Sequence, residues 1–359
     1  MFAEPSLRLK GITKRYATGM LALRELDLEV MPGELLAVVG PSGCGKSTLL
    51  RIIAGFERPT DGSVLIAGRE ANRMTVRERH VGMMFQGENL LPHLNVQENL
   101  AFSARMRGER RDAIIERTRK VAGSLGLSSL LDRLPDEISG GEAQRVALGR
   151  LLVEQPALAL LDEPLSQLDP HLRLELQPLI RRMQRQAGLA MIYVTHDQAD
   201  AMAIGDRIAV MRAGHIVQIG TPQEIYHAPA SSFVAEFIGN PGMNRLTVER
   251  RGDNLFWCGI PLLIPDPAVH HDRPFVVGIR AESIRVCLAP PTVVRAGCIV
   301  ATGHVHQRTF QGDHELLIVD VGDDRVACRT PTSVIVGTQV WLEIDTTRMH
   351  AWHQSSEAS

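Results

Sequence analysis

The sequence predicts an α/β domain on a parallel sheet, interrupted by a helical insertion and followed by a separate β-rich domain. Three observations carry this. Short, fully apolar runs end in polar residues early in the chain; helical spacing takes over at about 87–138; and β-type runs between turn residues fill 239–359. The 359 residues suffice for two domains. With 44% hydrophobic and 22% charged residues, a globally disordered chain is excluded. The net charge of −2 lacks the basic excess of a general nucleic-acid binder, so no nucleic acid is expected as a partner. No run approaches the ~20 apolar residues that span a bilayer, and Glu4, Pro5 and Arg8 interrupt any signal-peptide core. Five dispersed cysteines (Cys44, Cys258, Cys287, Cys298, Cys328) include no CxxC pair, which suits a reducing, cytoplasmic compartment.

Taken in order, residues 34–39 form an apolar run that stops at Gly40, as a buried parallel strand does. Residues 158–161 and 189–194 are two more. Asp162 and Glu163 follow the second, and Thr195, His196 and Asp197 the third. In open parallel sheets, ligands sit beyond the carboxyl ends of the strands, so these tips converge on one edge. In the insertion, Ile114, Thr118, Val121 and Leu125 recur at three- and four-residue steps among Glu116, Arg117, Arg119 and Lys120. Residues 207–219 read as a hairpin around Arg212, Ala213 and Gly214. Residues 233–237 read as a closing helix broken by Gly239, Asn240, Pro241 and Gly242. The first domain is therefore drawn as 1–238. Beyond it, 275–279, 316–321 and 340–344 are the clearest strands, with a turn at Asp323 and Asp324 and a frayed tail at 355–359. No internal repeat or low-complexity segment is present.

Gly40, Pro41, Ser42, Gly43, Cys44, Gly45, Lys46 and Ser47 match G-x-x-x-x-G-K-[ST] between a predicted strand and a predicted helix. Glycines let backbone N–H groups turn inward around phosphates, and the helix N-terminus adds positive potential. Lys46 is then the group that neutralises β/γ oxygens, Ser47 a Mg²⁺ ligand, Thr48 a neighbour of the phosphates, and Cys44 a small filler. Asp162 is the second Mg²⁺ ligand, and Glu163 the acceptor that polarises an attacking water. His196 arrives at the same edge as a contact to the γ-phosphate and an orienter of the water. Gln86 reaches the metal or the water through its amide. Met83 and Met84 read as core. The histidine pairs His270/His271, His304/His306 and His350/His353 have no cysteine or carboxylate set at ligand spacing and read as solvated surface.

Ile138, Ser139, Gly140, Gly141, Glu142, Ala143, Gln144 and Arg145, upstream of Asp162 and Glu163, resemble the signature of the ATP-binding subunits of ATP-binding cassette transporters. The resemblance covers nearly the whole chain and implies a P-loop NTPase cassette with ATP and Mg²⁺ as cofactors. It makes Tyr16 the residue that stacks on adenine, Gln86 the glutamine loop, His196 the switch histidine, and Ser166, Gln167, Leu168 and Asp169 the link between two ATP sites. It implies a homodimer in which Ser139, Gly140, Gly141 and Glu142 close over the nucleotide of the other copy. It also implies two transmembrane permease subunits docking near Leu91, Pro92, His93 and Leu94. Residues 237–244 and Gly278, Ile279, Arg280, Ala281 and Glu282 resemble the carbohydrate-importer branch, including its maltose and glycerol-3-phosphate types, which carries an OB-like regulatory domain after the cassette. The implied function is ATP-driven import of a small solute, a sugar or polyol phosphate, from the cytoplasmic face of the inner membrane. An extracytoplasmic binding protein delivers the solute. Polyamine and ferric iron stand as alternative cargoes. A non-transport cassette ATPase fits less well, because Gln86 and Ser139 are too close for a long coiled coil. The chain departs from the pattern at Glu142, Gln167, Leu91, Ala281 and Ser283.

Overall fold

The computed structural model describes residues 4–353 apart from 86, 88, 89, 253, 263 and 265–274. Its contacts divide the chain into two units, Met1–Glu224 and Ile225–Ser359. The first unit runs β1 (Leu7–Arg15), β2 (Leu21–Val30), β3 (Leu35–Val39), α1 (Lys46–Ala54), β4 (Asp61–Ile66), β5 (Arg69–Glu70) and β6 (Val81–Met84). It continues with α2 (Val96–Met106), α3 (Arg111–Ser124), α4 (Gly140–Glu154), β7 (Leu158–Asp162), α5 (Pro170–Ala187), β8 (Met191–Val194), α6 (Gln198–Ile204), β9 (Arg207–Arg212) and β10 (His215–Gly220).

A six-stranded sheet in the order β10-β9-β3-β8-β7-β6 is the frame of this unit. Strands β9 to β6 pair in parallel, and β10 closes one edge antiparallel as the predicted hairpin. Its central strands are apolar throughout because both faces are covered. Alternate residues face opposite sides: Leu158 and Leu160 join Leu49, Ile52 and Ile53 of α1 in one core, whereas Ala159 and Leu161 join Leu100, Leu148, Leu151 and Ile180 in the other.

Within the insertion, α2 starts with a capping box formed by Asn95 and Glu98. Helix α4 packs closely on α2, since a Cβ at Gly149 would lie 2.5 Å from Leu100 Cδ2. A four-stranded antiparallel sheet, β2-β1-β4-β5, was not anticipated above. Leu7, Leu9, Leu26, Leu28 and Val64 seal it onto the α1 side of the core.

The chain continues through α7 (Pro222–His227) and α8 (Ser232–Phe237) to the β-rich unit: β11 (Asn244–Leu246), β12 (Val248–Arg251), β13 (Asn254–Trp257), β14 (Ile260–Leu262), β15 (Phe275–Ile279), β16 (Ile284–Cys287), β17 (Cys298–Phe310), β18 (Glu315–Val321), β19 (Asp324–Thr330), β20 (Gln339–Asp345) and β21 (His350–His353). Its largest sheet is β16-β20-β17-β18-β19, and Trp257, Val277, Leu317 and Leu342 lie in its core. The division at 224/225 falls earlier than the expected 238/239. The buried Arg280 guanidinium donates to the carbonyls of Tyr226, Ala235 and Ile238, and Trp352 Nε1 donates to Pro229 O at 2.8 Å, so 226–238 is fastened to the second unit. Gln86, His270, His271 and the tail at 355–359 lie outside the described residues.

Candidate active site

The loop from Gly40 to Ser47 leaves β3 and enters α1, with Gly43 at φ +78° and Gly45 at φ +111°. Gly45 is the N-cap of α1 and, among the described residues, no side chain caps it, so the first-turn N–H groups lack helical acceptors and a described side-chain cap. Those free donors, and the dipole behind them, suit an anion. Lys46 is buried, and its Nζ donates to Gly40 O at 2.7 Å and Pro41 O at 3.1 Å. The ammonium is therefore already folded over the loop. Cys44 is buried beside it, and burial pushes its thiol above the usual range. It fills space behind the loop.

Two further strand ends, those of β7 and β8, lie at the same sheet edge as this loop. Asp162 closes β7, and burial first, then the neighbouring Glu163, raises its carboxyl above the usual range, while Arg51 and Lys46 pull it down. A cation at this carboxylate would offset both raising effects, so Asp162 and the exposed Ser47 hydroxyl fit a hard divalent ion that takes its other ligands from phosphate and water. Glu163 sits at φ +47°, a conformation few non-glycine residues adopt. Its N–H donates to Val194 O at 2.9 Å, and Ser166 Oγ donates to its carbonyl at 2.9 Å. Its Oε2 lies 3.0 Å from His196 Nδ1, just past β8.

Tyr16 follows β1, half-buried, and its hydroxyl reaches Glu57 Oε1 at 3.0 Å and Thr48 Oγ1 at 3.2 Å. The stretch that follows it abuts the loop: a Cβ at Gly45 would meet Ala22 O at 2.6 Å. Tyr16, Lys46, Ser47, Thr48, Asp162, Glu163 and His196 thus belong to one edge of the unit. Glu57, Lys14 and Arg51 lie at the same edge and were not singled out in the sequence.

Ser139 and the residues after it form the N-terminus of α4, and among the described residues no hydrogen bond or ion pair joins Ser139, Gly140, Gly141 or Glu142 to the phosphate loop. Ser139 caps this helix, and both its N–H and its hydroxyl donate to Glu142 Oε2 at 2.8 Å. These bonds hold the Glu142 carboxyl below its ordinary range. The Ser139 hydroxyl proton is thus committed to Glu142, which leaves the N–H groups of Gly140 and Gly141 as the turn's helical donors. The turn at Leu91, Pro92, His93 and Leu94 is tied down by Asn99, which is wholly buried. Asn99 Oδ1 accepts from Leu91 N and from the Arg150 guanidinium, both at 2.8 Å, and its Nδ2 donates to the carbonyls of Leu91, Leu94 and Asn95.

Among known proteins, the ABC transporter family matches residues 23–166 and the TOBE domain family residues 277–352. The sn-glycerol-3-phosphate import ATP-binding protein UgpC of Chromohalobacter salexigens is 50% identical over 243 residues, covering 68% of this chain and 66% of that protein. Its counterpart in Cereibacter sphaeroides is 48% identical over 282 residues, 79% of each chain. That of Vibrio vulnificus is 44% identical over 276 residues, 77% of this chain and 74% of the relative. Among solved structures, cbiO1 from Clostridium perfringens, part of the ABC transporter complex cbiONQ, superposes with a TM-score of 0.58 at 28% identity. That match covers 62% of this chain and 90% of the other.

Proposed function

The chain belongs to the family of ABC transporter ATP-binding proteins, and on that premise we propose that it hydrolyses ATP to drive import of glycerol 3-phosphate or a closely related polyol or sugar phosphate. The solute class is carried by the 48% identity over 282 residues to a glycerol-3-phosphate import protein. That alignment is longer than the first unit, which ends at residue 224, so the similarity extends into the unit that carries the TOBE domain.

In this reading, Lys46 and the first-turn N–H groups of α1 bind the triphosphate, and Tyr16 stacks on its base. Ser47 and Asp162 hold Mg²⁺, with Gln86 as a further contact to metal or water. Once bound, the ion supplies charge neutralisation at the phosphate oxygens. Glu163 accepts the proton of the attacking water, and His196, at hydrogen-bond distance, fixes the carboxylate that does so.

Two copies pair so that Ser139, Gly140, Gly141 and Glu142 of one close over the triphosphate of the other. Two permease subunits dock near Leu91, Pro92, His93 and Leu94 at the cytoplasmic face of the membrane, and an extracytoplasmic binding protein selects the solute. No described helix is long and apolar enough to cross a membrane itself.

The test is copurification with the membrane partners, reconstitution into vesicles with the cognate binding protein, and uptake of labelled solutes. ATP-dependent accumulation of glycerol 3-phosphate, but not of maltose, polyamine or ferric iron, is the expected result. Uptake of one of the others in its place refutes the solute class and leaves the ATPase untouched.

A further inference from the structure

Glu57, just after α1, gathers three groups of the nucleotide edge around one carboxylate. Its Oε1 accepts the Tyr16 hydroxyl at 3.0 Å, and its Oε2 pairs with Lys14 Nζ at 3.2 Å. Arg51 of α1 stands 3.7 Å from Oε1. With the phenol proton given to Glu57, the Thr48 hydroxyl donates to the phenolic oxygen at 3.2 Å, which ties the ring to the helix that opens with Lys46. The Lys14 ammonium, also held by Arg58 O at 2.9 Å, lies 5.1 Å from the Tyr16 ring centroid. A cation over one face of an aromatic ring is attracted by its negative face, so Lys14 covers that face and stacking is left to the opposite one.

We propose that Glu57 is a positioning residue for the base of the nucleotide. It fixes the Tyr16 ring and the Lys14 ammonium together, so that a single ring face is presented to a purine at a set distance from the phosphate loop. The inference rests on the reading of Tyr16 as the base platform. The energetic logic is preorganisation: a ring pinned before binding does not have to be immobilised by the nucleotide. An aromatic residue lacking a hydroxyl could stack, but neither Glu57 nor Thr48 could hold it.

The experiment is equilibrium titration of the full chain with two probes, a non-hydrolysable ATP analogue (adenylyl imidodiphosphate) and tripolyphosphate, which has no base. Glu57→Ala and Tyr16→Phe are each expected to weaken the nucleotide about tenfold, the scale of one lost charge-assisted hydrogen bond, with tripolyphosphate affinity unchanged. The double variant should be no weaker than the poorer single one, because both changes break the same bond. If Glu57→Ala weakens both probes alike, Glu57 serves the fold of the loop and the proposal is wrong. If Tyr16→Ala lowers the nucleotide-to-tripolyphosphate ratio but Glu57→Ala and Tyr16→Phe do not, the platform stands and its anchoring by Glu57 is refuted. If Tyr16→Ala leaves that ratio unchanged, the platform reading itself fails.

Discussion

His196 Nδ1 lies 3.0 Å from Glu163 Oε2, although 33 residues separate them in sequence. The contact joins the ends of two adjacent parallel strands, since Asp162 is in register with Val194. It secures a residue whose backbone is already unusual: Glu163 holds φ +47° through the bonds to Val194 and Ser166. Strain of this kind persists where surrounding contacts over-determine it, and here it aims a carboxylate out of the sheet edge beside Lys46 and Asp162.

Glu163→Gln keeps the shape and the hydrogen bond to His196 but removes the proton acceptor. Turnover of ATP is expected to fall about 10²–10⁴-fold, roughly 2.7–5.4 kcal/mol of barrier, while nucleotide affinity by titration stays at the parental value. Parental turnover in this variant would assign the proton transfer to another group.

Much of this edge is legible in the sequence, because its elements are local. An apolar run followed by a glycine loop and a helix can be read from residues 35–54 alone, and the acidic and histidine tips announce themselves after β7 and β8. The Tyr16–Glu57–Thr48 cluster is not legible in that way. Its members come from a turn, a helix and a loop, and only tertiary packing brings them together. The β2-β1-β4-β5 sheet was readable from its alternation, as at Leu26, Leu28 and Val30, but has no polar tip to draw attention. The contact division at 224/225 is not legible in the sequence for a physical reason: a short helix carries no mark of which core it joins, and Arg280, far along the chain, bonds to 226–238.

Asp206 anchors the start of β9 by accepting from Leu35 N at 2.9 Å and from the Arg181 guanidinium. The Arg181 hydrogen bond is the main cause holding its carboxyl below the ordinary range. A carboxyl depressed in the folded state adds stability at pH above its unfolded value, and that stability is lost as pH falls through the folded value. Asp206→Asn should therefore cost about 1 kcal/mol at pH 7, a figure kept small because the pair is partly solvent-exposed. The deficit should be smaller at an acid pH, where the folded carboxyl begins to take up its proton, than at pH 7. Denaturant unfolding at both pH values checks this, and a deficit unchanged in acid would place the effect in packing.

Asn99→Ala removes four side-chain hydrogen bonds that pin the 91–95 turn and takes one partner from Arg150. The Leu91 N–H and the Leu94 carbonyl lose their partner in a partly buried turn, while the carbonyls of Leu91 and Asn95 keep backbone donors, so a loss of about 1–3 kcal/mol is expected, read as a lowered denaturation midpoint at unchanged slope. In the reconstituted transporter the same variant should lose stimulation of ATPase by the permease subunits more than it loses the basal rate, because the turn it frees is the proposed docking surface. Equal loss of both would confine Asn99 to stability.

Two glycines of the phosphate loop should respond very differently to the same methyl group. At Gly40 a Cβ would sit 2.4 Å from Met211 O and 2.6 Å from Cys44 Sγ; the first is backbone of β9 and cannot yield without moving the sheet. At Gly43 no atom lies within 4 Å of the added Cβ, and the only penalty is the φ of +78°. Gly40→Ala is therefore expected to displace the loop and abolish nucleotide binding. Gly43→Ala should bind within about thirtyfold of the parent, for the roughly 1–2 kcal/mol an L-residue loses in the left-handed region. Titration with a nucleotide separates the cases. If Gly43→Ala proved as damaging as Gly40→Ala, the open space over Gly43 would be space the bound nucleotide needs, and the triphosphate would have to lie directly against that residue.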